Sequence, residues 1–411
     1  FLFCQAIIAF STFTMMGLLE AKSVFTSSLI ARGLLILLGF WAFSTDSLDL
    51  ERAVQIHILT CVVHAGLLLI AMKRTLRAHE QGEGFELFKG TVRRVLDFVR
   101  SKKVVAGFLG SAVIGYGITT WGTDILSTVL SRQPDILMLT ALLGETSAQV
   151  GYYQVGAMVL LLAEYAMLFG FGGTLVAAFS ALSREDELHS TQGSYPKLAA
   201  ARKKVFGFHL AAATPLLVFI LFFAEESVEV LFGAAFAPAA VLVQWGLVVL
   251  IVAVGIVGGG MHVTSLVSIG KQRSVFKIRL FWGLANLVGN YFLILSLGAL
   301  GAVLGTQLAN LGACAVESYV ADKHIGSSRD HKAIVTVLAV ALASVAIPWA
   351  VLQAVEIGAL QSLIAGGVIS LMLYLGISVL FKLSDVLHIL DRLSVAFLKK
   401  PFPISAREVL S

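Results

Sequence analysis

Runs of about twenty apolar residues, separated by short polar segments, repeat along the whole chain, and this is the length an α-helix needs to cross a bilayer core. Eleven spans are predicted, at roughly 1–19, 24–43, 53–72, 104–143, 151–182, 203–224, 238–261, 275–298, 299–321, 332–353 and 360–381. A membrane β-barrel would show alternating segments of about ten residues, and the sequence has none. The fourth run is too long for one straight helix. Its SRQPD (Ser131–Asp135) is expected to bend or interrupt it, because Pro134 removes a helix hydrogen bond. In the seventh, GIVGGG (Gly255–Gly260) marks a flexible point.

Lysine and arginine occupy alternate gaps between the spans. Lys22, the loops 73–103, 184–204, 271–279 and 323–332, and the tail after 381 hold 27 of the 30 cations. The other set of loops (44–52, 144–150, 225–237, 354–359) holds only Arg52, while Arg32 and Arg132 fall inside spans. The positive-inside bias then puts the cation-rich loops and the C-terminus in the cytoplasm. Two segments on that side are amphipathic. In FELFKGTVRRVLDFVRSKK, Phe85, Phe88, Val92, Val95, Leu96 and Val99 recur at helical spacing, with Lys89, Arg93, Arg94 and Arg100 over much of the remainder. Such a segment lies on the inner leaflet and binds anionic lipid. The tail SDVLHILDRLSVAFLKK (Ser384–Lys400) reads similarly.

Composition agrees with lipid as the solvent. Of 411 residues, 58% are hydrophobic and 13% charged, against roughly 25% charge in a soluble domain. The net charge of +5 raises nucleic acid as a partner. The cations sit in loops between apolar runs, so the membrane accounts for them and no nucleic acid is expected. Cys4, Cys61 and Cys314 all lie in apolar runs and read as packing residues, without disulfide or metal. The opening FLFCQAIIAF has no charged leader and reads as a chain starting at or inside a membrane helix.

Three stretches, in order, give a resemblance. DILMLTALLGETSAQVGYYQVG (Asp135–Gly156) has an Asp, an apolar run, a Gly-containing turn and V-G-x-Y opening the next helix. EVLFGAAFAPAAVLVQW (Glu229–Trp245) has an outer-loop Phe-Gly before a span, and NLVGNYFLILSLGALGAVLGTQLANL (Asn286–Leu311) an Asn helix followed by a small-residue helix. Together they resemble the polysaccharide and O-antigen flippases of the multidrug/oligosaccharidyl-lipid/polysaccharide superfamily, over about residues 104–323. The resemblance implies an all-α polytopic membrane protein of two lobes in an inverted V. About eleven of fourteen transmembrane helices would be present, with roughly 100 residues missing upstream. Residues 1–72 would be a remnant of the N-terminal lobe, 73–103 a basic amphipathic linker, 104–323 a six-helix C-terminal lobe, 324–381 two extra helices and 382–411 a cytoplasmic tail.

The resemblance further implies a bacterial inner-membrane carrier. It would move an undecaprenyl-pyrophosphate-linked oligosaccharide between leaflets by alternating access, for cell-surface polysaccharide synthesis, with polysaccharide polymerase or assembly proteins as partners. The physics agrees, because sugar and pyrophosphate cannot cross hydrocarbon without a wet cavity. No Walker loop is present, so direct ATP use is not indicated; no cofactor is expected, and H+ or Na+ would supply the coupling.

Ionisable residues inside spans are the candidate site. Glu164 lies about 20 Å along its helix from Gly151. Tyr153 falls on the same helix face, and Gln154 adjoins it. They line a cavity, or Glu164 bonds a neighbouring helix. Arg32, about 12 Å into its span, binds pyrophosphate or snorkels to headgroups. Arg132 and Asp135 flank Pro134 and either pair with each other or meet substrate. Asp124, in TTWGTDIL beside Thr119, Thr120 and Trp121, is placed for sugar contacts. His57 and His64, seven apart, lack the spacing of a helical zinc site, and His262 bounds the seventh span. Asn286 and Asn290 read as interhelical bonds, and Gly301, Gly305, Ala309 and Gly312 as a close-packing stripe. Two alternatives remain: a cation-coupled multidrug or metabolite antiporter of the same superfamily, and a glycan polymerase or ligase. The second would need a large outer loop rich in Arg and His, which ESVEVLFGAAFAP (225–237) is not.

Overall fold

The computed structural model describes residues 50–78, 132–144, 147–168, 172–189, 194–258, 261–355 and 357–381, with scattered positions in 26–45, 119–130 and 383–391. Contacts divide the chain into two units, 1–116 with 170–178, and 117–169 with 179–411. In the first unit the long described helix is α1 (Leu50–Ala78), with Cys61 buried on it.

The rest is all helix among the described residues: α2 (Arg132–Leu143), α3 (Ala148–Leu168), α4 (Gly172–His189), α5 (Pro196–Phe222), α6 (Ala224–Phe232), α7 (Ala239–Ile251), α8 (Met261–Ser268), α9 (Gln272–Leu297), α10 (Ala299–Ile325), α11 (His331–Gln353) and α12 (Ala359–Leu380). Among the described residues six helices are long and apolar enough to cross a membrane, namely α5, α7 with its extension to Val257, and α9 to α12. They match six expected spans to within a few residues at most ends. Over the expected span 151–182 the structure describes α3 to Leu168 and α4 from Gly172, and residues 169–171 lie outside the described residues. In the long fourth run, α2 begins at Arg132 with Pro134 in its first turn, where a missing N–H costs nothing. The amphipathic linker beyond Ala78 and the tail after Asp391 lie outside the described residues.

The helices are built inside out, as lipid demands. On α12, Ser362, Gly366, Ser370, Tyr374 and Ser378, every fourth residue, are buried, while Leu360, Ile364, Val368, Leu371 and Met372 are exposed. On α9, Gly283, Asn286 and Asn290 face inward and Phe281, Leu284, Val288, Phe292 and Leu295 outward. Without a hydrophobic drive between helices, small residues set the approach. A Cβ on Gly301 would stand 2.0 Å from the Leu293 carbonyl oxygen, and one on Gly312 would stand 2.2 Å from the Trp282 ring. The small-residue stripe of α10 is thus the seam against α9, and these two helices form the most extensive pair of the unit.

Two backbone liabilities are met by side chains from other helices. Pro215 inside α5 has no N–H, which orphans the carbonyl four residues back at Ala211. The Tyr374 hydroxyl of α12 donates to that carbonyl at 2.7 Å. Asp186 of α4 accepts from Lys197 N at 3.2 Å and Leu198 N at 3.0 Å, capping α5, whose own Tyr195 provides no side-chain cap. Tyr374→Phe is expected to cost about 1–3 kcal/mol, the desolvation of one orphaned group. It should appear as a lower unfolding temperature in detergent. Pro215→Ala restores the helix bond, so combining it with Tyr374→Phe should recover the loss; a combined variant no more stable than Tyr374→Phe alone would refute this assignment.

Candidate functional site

α9 and α10 are an antiparallel hairpin about Gly298, whose φ of +59° turns the chain. Both helices rise 1.5 Å per residue, so residues equidistant from Gly298 face each other. Asn290 and Thr306 are each eight residues from it, and Asn290 Nδ2 donates to Thr306 Oγ1 at 3.2 Å. Arg279 and Glu317 are each nineteen residues away, and they form a two-pronged ion pair: Nε to Oε1 at 2.6 Å and Nη2 to Oε2 at 3.0 Å.

The first of these pairs holds the most unusual group of the molecule. Asp135, fully buried near the start of α2, inserts beside the hairpin. Its Oδ1 accepts from Asn290 Nδ2 at 2.6 Å; its Oδ2 accepts from Thr306 Oγ1 at 2.7 Å and from the Tyr153 hydroxyl of α3. Asn286 Oδ1 stands 3.2 Å from the same threonine hydroxyl. Four helices meet at one carboxylate, and every partner is neutral. Asn290 Oδ1 is buried with no partner among the described residues. It also needs Gly305, where a Cβ would stand 1.7 Å away.

From there polar groups continue along α10. Gln307 is in hydrogen-bonding reach of Glu164, which is half-buried on α3 four residues before Leu168. Tyr153 and Glu164 therefore both face α10, with Ala157 and Leu160 between them buried. Asn310 Nδ2 donates to the Leu130 carbonyl at 3.1 Å. Cys314, a buried free thiol, neighbours the Arg279–Glu317 pair.

A second cluster sits where α10 ends and α8 begins. Arg202 of α5, fully buried, donates Nη1 to the Gly326 carbonyl at 2.7 Å and Nη2 to His262 Nδ1 at 3.0 Å and Asp322 Oδ1 at 3.2 Å. Because Nδ1 accepts, Nε2 carries the hydrogen, and it donates to the Val257 carbonyl at 2.5 Å. Val257 ends a π-helical turn (Val252–Val257) that continues α7, and Gly258 follows with φ +102°. A Cβ on Gly258 would stand 2.7 Å from His262 Nε2. The GIVGGG stretch is thus where the helix changes form, and His262 is held at the break.

Of the sequence-derived candidates, Tyr153 joins the Asp135 cluster, Glu164 lies along the same α10 face, and His262 belongs to the Arg202 cluster. Gln154 is exposed, on the opposite side of α3 from the core. Asp135 is taken up by Asn290, Thr306 and Tyr153 rather than by Arg132, which is half-buried. Arg32 and Asp124 lie outside the described residues; near the latter, Thr123 bonds its own helix at Thr119 O, 2.7 Å away. Asn286 and Asn290 are interhelical bonds, as expected. Sequence reasoning missed Arg279–Glu317 and Arg202–Asp322, although an acid in the apolar run GACAVESYV was signal enough for the former. Among the described residues no group of three or more His, Cys, Asp or Glu could hold a metal ion.

No known family model, curated protein or solved structure matches the chain.

Proposed function

We propose that the chain is a bacterial inner-membrane carrier that moves an undecaprenyl-pyrophosphate-linked oligosaccharide by alternating access, with a monovalent cation bound at Asp135. One observation supports a carrier above all: a fully buried carboxylate whose partners are all neutral. Burying a lone charge costs several kcal/mol even after relaxation, and apolar packing would hold the four helices at less cost. A proton or sodium ion that binds in one state of the cycle supplies the missing charge. Its ligands would be the Asp135 oxygens, Thr306 Oγ1 and, once the Asn290 amide turns, the Oδ1 that now lacks a partner. These are hard oxygens with a single negative charge, suited to a monovalent cation. A ligand shifts a conformational equilibrium only by its differential affinity for the two states. A site assembled from α2, α3, α9 and α10 gains or loses affinity as those helices move.

The substrate class rests on the three motif stretches and on the inside-out helices. Glu164, Asp124 and Arg32 are the proposed substrate contacts, with the cation-rich loops in the cytoplasm. Asp135, Glu164 and the hairpin all fall within residues 104–323, the proposed C-terminal lobe. Deleting the gene is expected to accumulate an undecaprenyl-linked oligosaccharide inside the cell. Reintroduced Glu164→Gln should insert normally but export poorly. Normal glycan export without accumulation would overturn the reading, and drug-driven cation uptake in that case would assign the chain to the antiporters.

A further inference from the structure

Around Arg202 the described residues supply more hydrogen-bond donors than acceptors. Asp322 serves two guanidiniums, since Arg329 Nη2 also reaches its Oδ2 at 2.5 Å, and His262 is in a neutral tautomer. One positive charge is left over. Three buried donors of the cluster have no partner among the described residues: Nε of Arg202, Nε of Arg329 and the hydroxyl of Ser328. Ser328 is only 1% exposed, and it sits between Gly326, whose carbonyl Arg202 holds, and Arg329. The Arg329 side chain is 31% exposed, so the cluster reaches the surface there. Lys203 and Lys204, both exposed, follow Arg202 on α5.

An excess positive charge beside unmet donors calls for an anionic acceptor with several oxygens. Guanidinium groups fork such an acceptor, and a serine hydroxyl adds a third donor. The position, at the polar end of membrane-length helices, is where basic pockets between helices meet lipid headgroups. We propose that Arg202, Ser328 and Arg329 form a binding site for a phosphate group, presented by an anionic lipid headgroup or as a free ion. The proposal is independent of the carrier reading, because binding is measured without transport.

The test uses the purified protein in nanodiscs of phosphatidylcholine with added phosphatidylglycerol, counting retained lipid by native mass spectrometry. A second arm adds inorganic phosphate in detergent and reads the unfolding temperature. Ser328→Ala and Arg329→Gln are each expected to weaken retention or the phosphate-induced shift by about tenfold, the factor one charge-assisted bond represents. Lys332→Gln, an exposed cation close by, should change neither. Without ligand, in phosphate-free detergent, Ser328→Ala should be neutral or stabilising, because it removes an unpartnered hydroxyl. Response in the first arm alone identifies a lipid source, and response in the second a soluble one. Binding in both arms unaffected by Ser328→Ala and Arg329→Gln, or weakened equally by Lys332→Gln, overturns the site.

Discussion

Glu317→Gln is expected to destabilise the protein by about 3–5 kcal/mol, because it strands the Arg279 guanidinium in the bundle interior. Glu317 is fully buried and Arg279 12% exposed, so water cannot take over the lost charge. Among the described residues the pair is an ion pair joining α9 to α10, where glycine and alanine otherwise let the helices touch. Its value lies mainly in what breaking it costs. Replacing both members with apolar residues, as Arg279→Met with Glu317→Leu, should be close to neutral. Unfolding temperature in detergent separates the cases. A Glu317→Gln protein as stable as the parent, or a double variant worse than either single one, would contradict the account of the hairpin.

Asp135→Asn should do the opposite: keep the fold and remove the cation. An asparagine can still accept from Tyr153 and Thr306 through its oxygen. Its new N–H2 group would face Asn290 Nδ2, but Asn290 can turn its amide and offer the Oδ1 that now lacks a partner. The bonds to residue 135 are thereby preserved while the charge is lost, at the cost of the 3.2 Å bond from Asn290 Nδ2 to Thr306 Oγ1. In the parent protein, cation at about 100 times its dissociation constant should add about 2.7 kcal/mol of stability. In Asp135→Asn that gain should vanish, with cation affinity at least ten- to 100-fold weaker. A variant whose unfolding temperature still rises with sodium, or with falling pH, as the parent's does would move the ion away from Asp135.

Much of this architecture can be read directly in the sequence. Span positions follow from hydropathy alone, and six of them recur as membrane-length helices. Hairpin register was within reach too. Once Gly298 is taken as the turn, equal counts along two helices of equal rise bring Asn290 to Thr306 and Arg279 to Glu317, although only the asparagines had drawn attention. The Asp135 cluster was half legible. Asp135, Tyr153 and Asn290 were each conspicuous, but nothing in local sequence spacing joins residues separated by 18 and 155 positions. Arg202 was hidden by its company. It stands next to Lys203 and Lys204 and reads as one more loop cation, yet its side chain turns inward and theirs outward.

The central claim, that Asp135 couples a cation to movement of a lipid-linked oligosaccharide, is tested most directly in proteoliposomes. Fluorescent undecaprenyl-pyrophosphate oligosaccharide is followed between leaflets while a sodium or proton gradient is imposed and then reversed. Movement should follow the gradient in the parent protein and reverse with it, and Asp135→Asn should abolish the response while the protein remains folded. Movement that ignores both gradients, or that persists unchanged in Asp135→Asn, would contradict the claim.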